Sequence, residues 1–282
     1  MTTIVVPLDG STFAARALRP ACSLAARLDH SQVLLVTCGP DDAEVARRHL
    51  EDQAVRFRGV VEIDIRILEA GNPGEGILAA AEAATDSLLC MATHGRGGLR
   101  ATVLGSVAKQ VVSQSTRPLV LVGPECRTAL LPGERGRLLA CSDGSEMSDS
   151  IMSAVASWSV RLQLDPCLTE VVPPDEVAEQ LPDQPSRNRQ VDAARGRLDA
   201  LSAQLQTEGL VPAGLTVTTE ILHGHPETSI AAFAERLPAA LIAMATHGRS
   251  GLSDVTIGSI ATEVVRNAHC PVLVSRPPAP AH

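Results

Sequence analysis

Short, largely apolar runs alternate along this chain with longer segments whose apolar residues recur every three or four positions. Residues 3–8 (Thr-Ile-Val-Val-Pro-Leu) and 33–37 (Val-Leu-Leu-Val-Thr) are short, and their composition predicts buried strands. Between them, residues 11–28 carry Ala14, Ala17, Leu18, Ala21 and Leu24 at helical spacing. The same reading predicts a helix over 43–57, an alternating strand over 60–68 and a helix opening at Pro73, whose fixed φ suits a first turn. A strand over 87–92, a helix over 106–115 and a strand over 118–122 complete the series. Strands alternating with helices in this way predict a doubly wound α/β domain with a five-stranded parallel sheet. Right-handed crossovers that cover both faces give the strand order 3-2-1-4-5. That order sets the carboxyl ends of strands 1 and 4 side by side, where the helices change faces and open α/β sheets bind ligands.

The pattern is written twice. Met91-Ala-Thr-His-Gly-Arg returns as Met244-Ala-Thr-His-Gly-Arg at an offset of 153. Gly71-Asn72-Pro73 returns as Gly224-His225-Pro226, Gly105-Ser106 as Gly258-Ser259, and Pro118-Leu-Val-Leu-Val as Pro271-Val-Leu-Val-Ser at the same offset. Asp9-Gly10-Ser11 returns as Asp143-Gly144-Ser145 at 134, so the second copy holds 19 extra residues between these motifs. The stretch from Pro173 to about Arg197, rich in Pro, Gln, Asp and Arg, is the expected insertion. Two tandem domains are predicted, over 1–125 and 136–276, with a linker over 126–135 and a disordered tail over 277–282. The length of 282 residues suits two domains of about 100–200 residues each.

Composition removes several function classes. The only aromatic residues are Phe13, Phe57, Phe233 and Trp158, too few for a surface that stacks bases. A net charge of −8 opposes non-specific attraction to nucleic acid or anionic lipid, so neither a nucleic-acid nor a membrane partner is expected. No apolar run approaches the ~20 residues needed to span a bilayer. The seven cysteines lack C-x-x-C spacing and several sit in strand-like runs, which reads as small buried hydrophobes. The amino terminus begins as a strand, without a basic n-region or cleavage site, and a cytoplasmic setting is expected.

The duplicated loops carry the candidate chemistry. Asp9-Gly-Ser closes strand 1, and Met91-Ala-Thr-His-Gly closes strand 4. After Gly95 come nine residues and then Gly105-Ser106, at a helix start; Gly248 and Gly258-Ser259 repeat the spacing. Glycines let backbone N–H groups approach an anion, and the helix start adds unpaired donors and the positive end of the dipole. Ser106 can cap its own helix and reach a phosphate oxygen, while Asp9 offers an acceptor to a ribose hydroxyl or an exocyclic amine. Each feature alone also serves merely to turn a chain; their pairing at neighbouring strand ends, in duplicate, favours a polyphosphate ligand. The chain has no Walker-type Gly-x-x-x-x-Gly-Lys loop, and Gly71, Gly74 and Gly76 lack dinucleotide-loop spacing. His94 and His247 stand without Cys or carboxylate partners at ligand spacing, so no metal site is expected. No nucleophile elbow or carboxylate pair points to catalysis.

On these motifs the chain resembles a tandem member of the universal stress protein family, of the ATP-binding type, over nearly its whole length. The resemblance rests on Val6-Pro-x-Asp-Gly-Ser, the Gly-x-Pro turns, the Met-x-x-His-Gly-(nine residues)-Gly-Ser loops and the closing Pro-(Leu/Val)-(Val/Leu) strands. It implies the universal stress protein/adenine nucleotide α-hydrolase-like fold. It also implies a nucleotide site in the first copy at Pro7, Leu8, Asp9, Gly10, Ser11, Thr37, Met91, Ala92, His94, Gly95, Gly105, Ser106 and Val107. In the second copy the implied site is Ser142, Asp143, Gly144, Ser145, Val171, Met244, Ala245, His247, Gly248, Gly258, Ser259 and Ile260, with Cys141 in place of the strand-1 proline. The family loop begins with glycine where this chain has Ala92 and Ala245. If that position needs a left-handed backbone, a methyl group there costs on the order of 1 kcal/mol.

The resemblance implies a cytoplasmic stress-response regulator that binds ATP, with Mg²⁺, at the strand-1/strand-4 crevice of one or both copies. It implies no catalytic residue and at most slow hydrolysis. It further implies an intramolecular pseudo-dimer of the two copies along their closing strands, and leaves room for a homodimer of chains. The alternative is a dimeric interaction scaffold of the same fold that binds no nucleotide.

Overall fold

In the computed structural model the described residues are 1–38, 43–69, 71–93, 104–127, 135–174, 187–246 and 257–275. The chain divides into two compact units, Met1–Glu134 and Arg135–His282. Residues 128–134 of the expected linker and the tail 277–282 lie outside the described residues.

In the first unit β1 (Thr2–Pro7) pairs in parallel with β2 (Ser31–Cys38) on one side and β4 (Asp86–Ala92) on the other. β2 continues to β3 (Glu62–Leu68), and β4 to β5 (Leu119–Val122), giving the order β3-β2-β1-β4-β5. The central strands explain their own composition. Ile4, Val5, Val6, Leu35, Val36, Leu89 and Leu121 are wholly buried, because a parallel sheet covered on both faces has no solvated side to alternate toward.

The helices are shorter than their periodicity predicts. Residues 11–28 form a 3₁₀ turn at Ala14–Ala17 followed by the α-helix Leu18–Ala25. Pro20 falls in the first turn of that helix, where its missing N–H is not called on. Residues 43–57 divide likewise into the helix Ala43–Ala54 and a 3₁₀ turn, Val55–Phe57. The helix Pro73–Glu82 opens as expected: Pro73 is its first residue, and the Asn72 side chain accepts from the Gly74 amide at 2.9 Å.

The second unit repeats the order as β8-β7-β6-β9-β10, from β6 (Gly136–Ser142), β7 (Leu164–Val172), β8 (Thr218–His223), β9 (Ala239–Ala245) and β10 (Val272–Ser275). Its departure from the first unit lies after β7. Residues 175–186 are outside the described residues, but the rest of the expected insertion is regular. It belongs to the helix Arg187–Thr207, which runs for 21 residues where the first unit has the 12 of Ala43–Ala54. Its composition suggests a loop because its polar residues form an exposed helical face, while Ala194, Leu198 and Leu205 are buried beneath.

Five cysteines (Cys22, Cys90, Cys141, Cys167 and Cys270) are buried, Cys38 and Cys126 are half-buried, and all seven are free thiols. Among the described residues no three His, Cys, Asp or Glu side chains gather as metal ligands.

Candidate functional site

The turn after β1 is tied down by its own acid. The Leu8 amide still donates to Val36 of β2 at 2.8 Å, and the chain then leaves the sheet. Asp9 Oδ1 accepts from the Ser11 amide at 2.9 Å, and the Ser11 hydroxyl accepts from the Ala14 amide at 3.1 Å. Gly10 between them has φ 83°, a left-handed conformation that side chains rarely adopt. The half-buried Asp9 carboxylate therefore stands at the end of β1 on a fixed turn.

The turn after β4 is closed at its base. Thr93 pairs its amide with Val122 of β5 at 3.1 Å, and its carbonyl accepts from the Gly105 amide at 2.8 Å. Gly105 is the N-cap of the helix Ser106–Gln114, and among the described residues no side chain caps that helix. Ser106 is the first helical residue and exposed, so it does not cap its own helix as the sequence suggests: a residue inside the first turn cannot aim its oxygen back at the next amides. Gly105 does not need to be glycine for the fold's sake. Its φ of −64° suits any residue, and a Cβ there would meet only the Thr93 carbonyl, at an ordinary 3.6 Å. Val107 follows, half-buried.

Met91 and Ala92 are buried within β4, and Ala92 pairs in register with Val122. Met244 and Ala245 sit the same way in β9. Neither alanine is among the non-glycine residues with positive φ, so the backbone penalty weighed for a methyl group there does not arise. His94, Gly95, His247 and Gly248 lie outside the described residues.

Beside the first turn lies an open cavity of about 610 Å³. Gly10 and Ser11 form part of its wall, and Arg16, Arg19, Arg56 and Arg127 line the rest of it with helix and turn residues. Arg16 donates to the Pro124 carbonyl and lies over the Phe13 ring, and Arg127 pairs with Glu125 at 2.9 Å. Among the described residues four guanidinium groups outnumber the one lining carboxylate, Asp52, so the cavity keeps a positive balance that favours an anion, in a chain of net charge −8.

The second repeat builds the same turns and closes one of them differently. Gly258 is an uncapped N-cap whose amide donates to Thr246 at 2.7 Å; Ser259 and Ile260 are exposed after it. At the other turn Asp143 Oδ1 accepts from the amide of Ser145 at 3.0 Å and from its hydroxyl at 2.6 Å, around Gly144 at φ 76°. Ser145 caps the short helix Glu146–Asp149 by accepting from the Ser148 amide. Ser142, the counterpart of Leu8, is buried; its hydroxyl donates to Asp149 at 2.8 Å and accepts from the Gly144 amide at 3.0 Å.

Strand register corrects one correspondence. Pro7 lies opposite Val36 and Cys141 opposite Thr169, so the residue level with Thr37 is Glu170, one place before Val171. Thr37 and Val171 are both half-buried at strand ends. Glu170 is buried and held by Arg197 of the long helix: Arg197 Nε donates to Oε2 at 3.1 Å and Nη2 donates to Oε1. These bonds raise the Arg197 pKa above its ordinary value, and the nearby Asp149 and Asp143 charges add to the effect. Neither residue belongs to a motif, and no signal in the sequence pairs positions 170 and 197.

Comparison with known proteins follows the repeat. The model of the universal stress protein family matches residues 1–123 and again 134–276. A universal stress protein from Methanocaldococcus jannaschii is 48% identical over 65 residues, which is 23% of this chain and 38% of that protein. The crystal structure of a universal stress protein from Archaeoglobus fulgidus DSM 4304 aligns over 98% of both chains, with TM-score 0.68 and 18% identity. A functionally unknown protein from Pseudomonas aeruginosa PAO1 aligns over 98% of this chain and 92% of its own, with TM-score 0.61 and 18% identity. At such identity the likeness is one of fold.

Proposed function

Because the chain belongs to the universal stress protein family, in both of its halves, we propose that it is an ATP-binding regulatory protein whose liganded state is its output. The nucleotide lies in the crevice between the ends of β1 and β4, its phosphates on the first amides of the helix Ser106–Gln114. Asp9 accepts from a ribose hydroxyl or an exocyclic amine, and Thr37 at the end of β2 borders the base. The observation that carries this reading is Gly105. A fold that wanted only a stable helix would place Ser, Thr, Asp or Asn at this N-cap. Here a glycine that the backbone does not require gives the first-turn amides no side-chain cap among the described residues, an arrangement that suits an anion. Mg²⁺ suits the same site without a dedicated carboxylate cage, since it commonly enters on phosphate oxygens and keeps several waters. The setting is cytoplasmic.

A second reading, an interaction scaffold that binds no nucleotide, is favoured in the second repeat alone. There Ser142, Asp143, Ser145, Ser148 and Asp149 satisfy one another around the turn. Two measurements test the proposal. Purified protein is denatured and its supernatant analysed for nucleotide, and the ligand-free chain is titrated with Mg·ATP. A micromolar to submillimolar Kd is expected; no heat and no thermal shift at millimolar ATP would sink it.

A further inference from the structure

The two repeats differ in what stands against the glycine of the first turn. In the first, Gly10 faces the open cavity, whose opposite wall includes His49 and Gln53 of the helix after β2. In the second, the helix after β7 is longer and sends Arg197 onto Gly144. A Cβ at Gly144 would come within 2.7 Å of Arg197 Nε and 3.1 Å of its guanidinium carbon, so the side chain lies flat against the turn. Its partner Glu170 stands level with Thr37, at the strand end that borders the base in the functional reading above. The Glu170 side chain is 4% exposed and that of Arg197 37%, so the pair closes this corner from solvent.

We propose that Arg197, fixed on Glu170, is a built-in occupant of the second crevice, so that the chain takes adenine nucleotide in its first repeat alone. The inference rests on the functional reading above and decides which site that reading applies to. Two physical arguments hold the guanidinium in place. Glu170 is a buried carboxylate, and withdrawing Arg197 would break two charge-assisted hydrogen bonds to it, a costly loss away from water. The guanidinium also fills the space that a Cβ at Gly144 would take, where a ligand would have to lie to use this turn. A nucleotide that used the second turn as the first turn is open to be used must therefore displace Arg197 from a buried carboxylate. Thr37 carries no charge and imposes no such barrier in the first.

The test is stoichiometry in the full chain. Calorimetric titration with Mg·ATP should give one nucleotide per chain; two would overturn the inference. Glu170→Thr with Arg197→Ala removes both halves of the pair, and the stoichiometry should rise to two; one, with a folded protein, would overturn it. Ser106→Glu separates the sites, because a carboxylate at a helix start is tolerated by the helix and repels phosphate. In that background the otherwise unmodified chain should bind none, and addition of the Glu170→Thr/Arg197→Ala pair should restore one. If the unmodified chain binds no ATP, the functional reading fails. The inference then stands or falls on whether the unlocked second repeat binds one nucleotide or none. Should the double variant fail to fold, the Arg197 Nε–H resonance in the unmodified protein, assigned by its loss in Arg197→Lys, gives the answer. Saturating ATP should leave it unmoved, and a shifted or broadened signal would overturn the proposal.

Discussion

The amide of Gly105 donates to the carbonyl of Thr93 at 2.8 Å, fixing where the chain that leaves β4 must return. That bond uses the backbone alone, so the side chain at 105 is free to be chosen for something else. Gly105→Ala should therefore keep the fold, at a cost below about 1 kcal/mol for a poorer N-cap. Its methyl group crowds the approach of phosphate, so ATP affinity should fall further than stability. Ser106→Ala should weaken binding by about 1–2 kcal/mol, the loss of one hydrogen bond to a charged group. Thermal melting beside ATP titration checks both, and equal affinity in all three proteins would place the ligand elsewhere.

Ala92 gives a second expectation. In register with Val122 inside β4, it needs no left-handed backbone, so restoring glycine gains nothing in conformation. Ala92→Gly should leave ATP affinity unchanged within a factor of two. It should also destabilise the protein by no more than about 0.5–1 kcal/mol, the cost of glycine in mid-strand, because Ala92 is the last residue of β4. A clear gain in affinity would mean that the methyl group itself touches the ligand.

The buried thiols give a third, in alkali. Burial pushes the Cys22 pKa from 9.0 up to about 12, and burial, with neighbouring thiols, pushes up those of Cys90 and Cys141 as well. The native state therefore keeps protons that the unfolded state releases near its ordinary thiol pKa. Stability from this source is complete below about pH 9 and is lost as the pH rises toward the folded values, by about 1.4 kcal/mol per pH unit for each thiol. Urea midpoints should thus fall from pH 9 to 11, and less steeply in Cys22→Ala. Midpoints flat over that range would show that these thiols are not the controlling groups.

Sequence pattern sufficed wherever one period governed a whole element. The buried strands at 3–8 and 33–37 could be placed because a covered parallel strand is a short apolar run. It was less reliable where one period covers two kinds of turn: residues 11–28 read as one helix and fold as the 3₁₀ turn Ala14–Ala17 and the α-helix Leu18–Ala25. The glycine and serine of the β4 loop were legible as a helix start, but not that Gly105 takes the cap and Ser106 the first turn. The strand-2 correspondence slipped by one, because no motif anchors the end of β7 and only backbone pairing sets Glu170 level with Thr37. Arg197 was beyond reach. It lies in the expected insertion, 27 residues from its partner, and only folding brings a polar position of one helix to a buried carboxylate.

The last expectation concerns how the halves associate. Within its own unit each closing strand, Leu119–Val122 and Val272–Ser275, has one parallel partner, β4 or β9. Its other edge runs along Leu-Val-Leu-Val or Val-Leu-Val-Ser, a mostly apolar stretch whose backbone groups suit pairing with a like strand. A closed twofold arrangement satisfies two such edges with each other, and one chain already contains both. The connecting segment raises their effective concentration without contributing contacts of its own. We therefore expect the two repeats to join along these strands as a pseudo-dimer. A protease site placed within 126–135 and cleaved after folding should leave the two halves co-eluting in size exclusion at micromolar concentration. Replacing Leu121 and Val274, whose N–H groups face away from β4 and β9, with proline, which has no N–H to donate and resists a central strand, should separate the cleaved halves. Halves that part on cleavage alone would show that the linker, and not a strand pairing, holds them together.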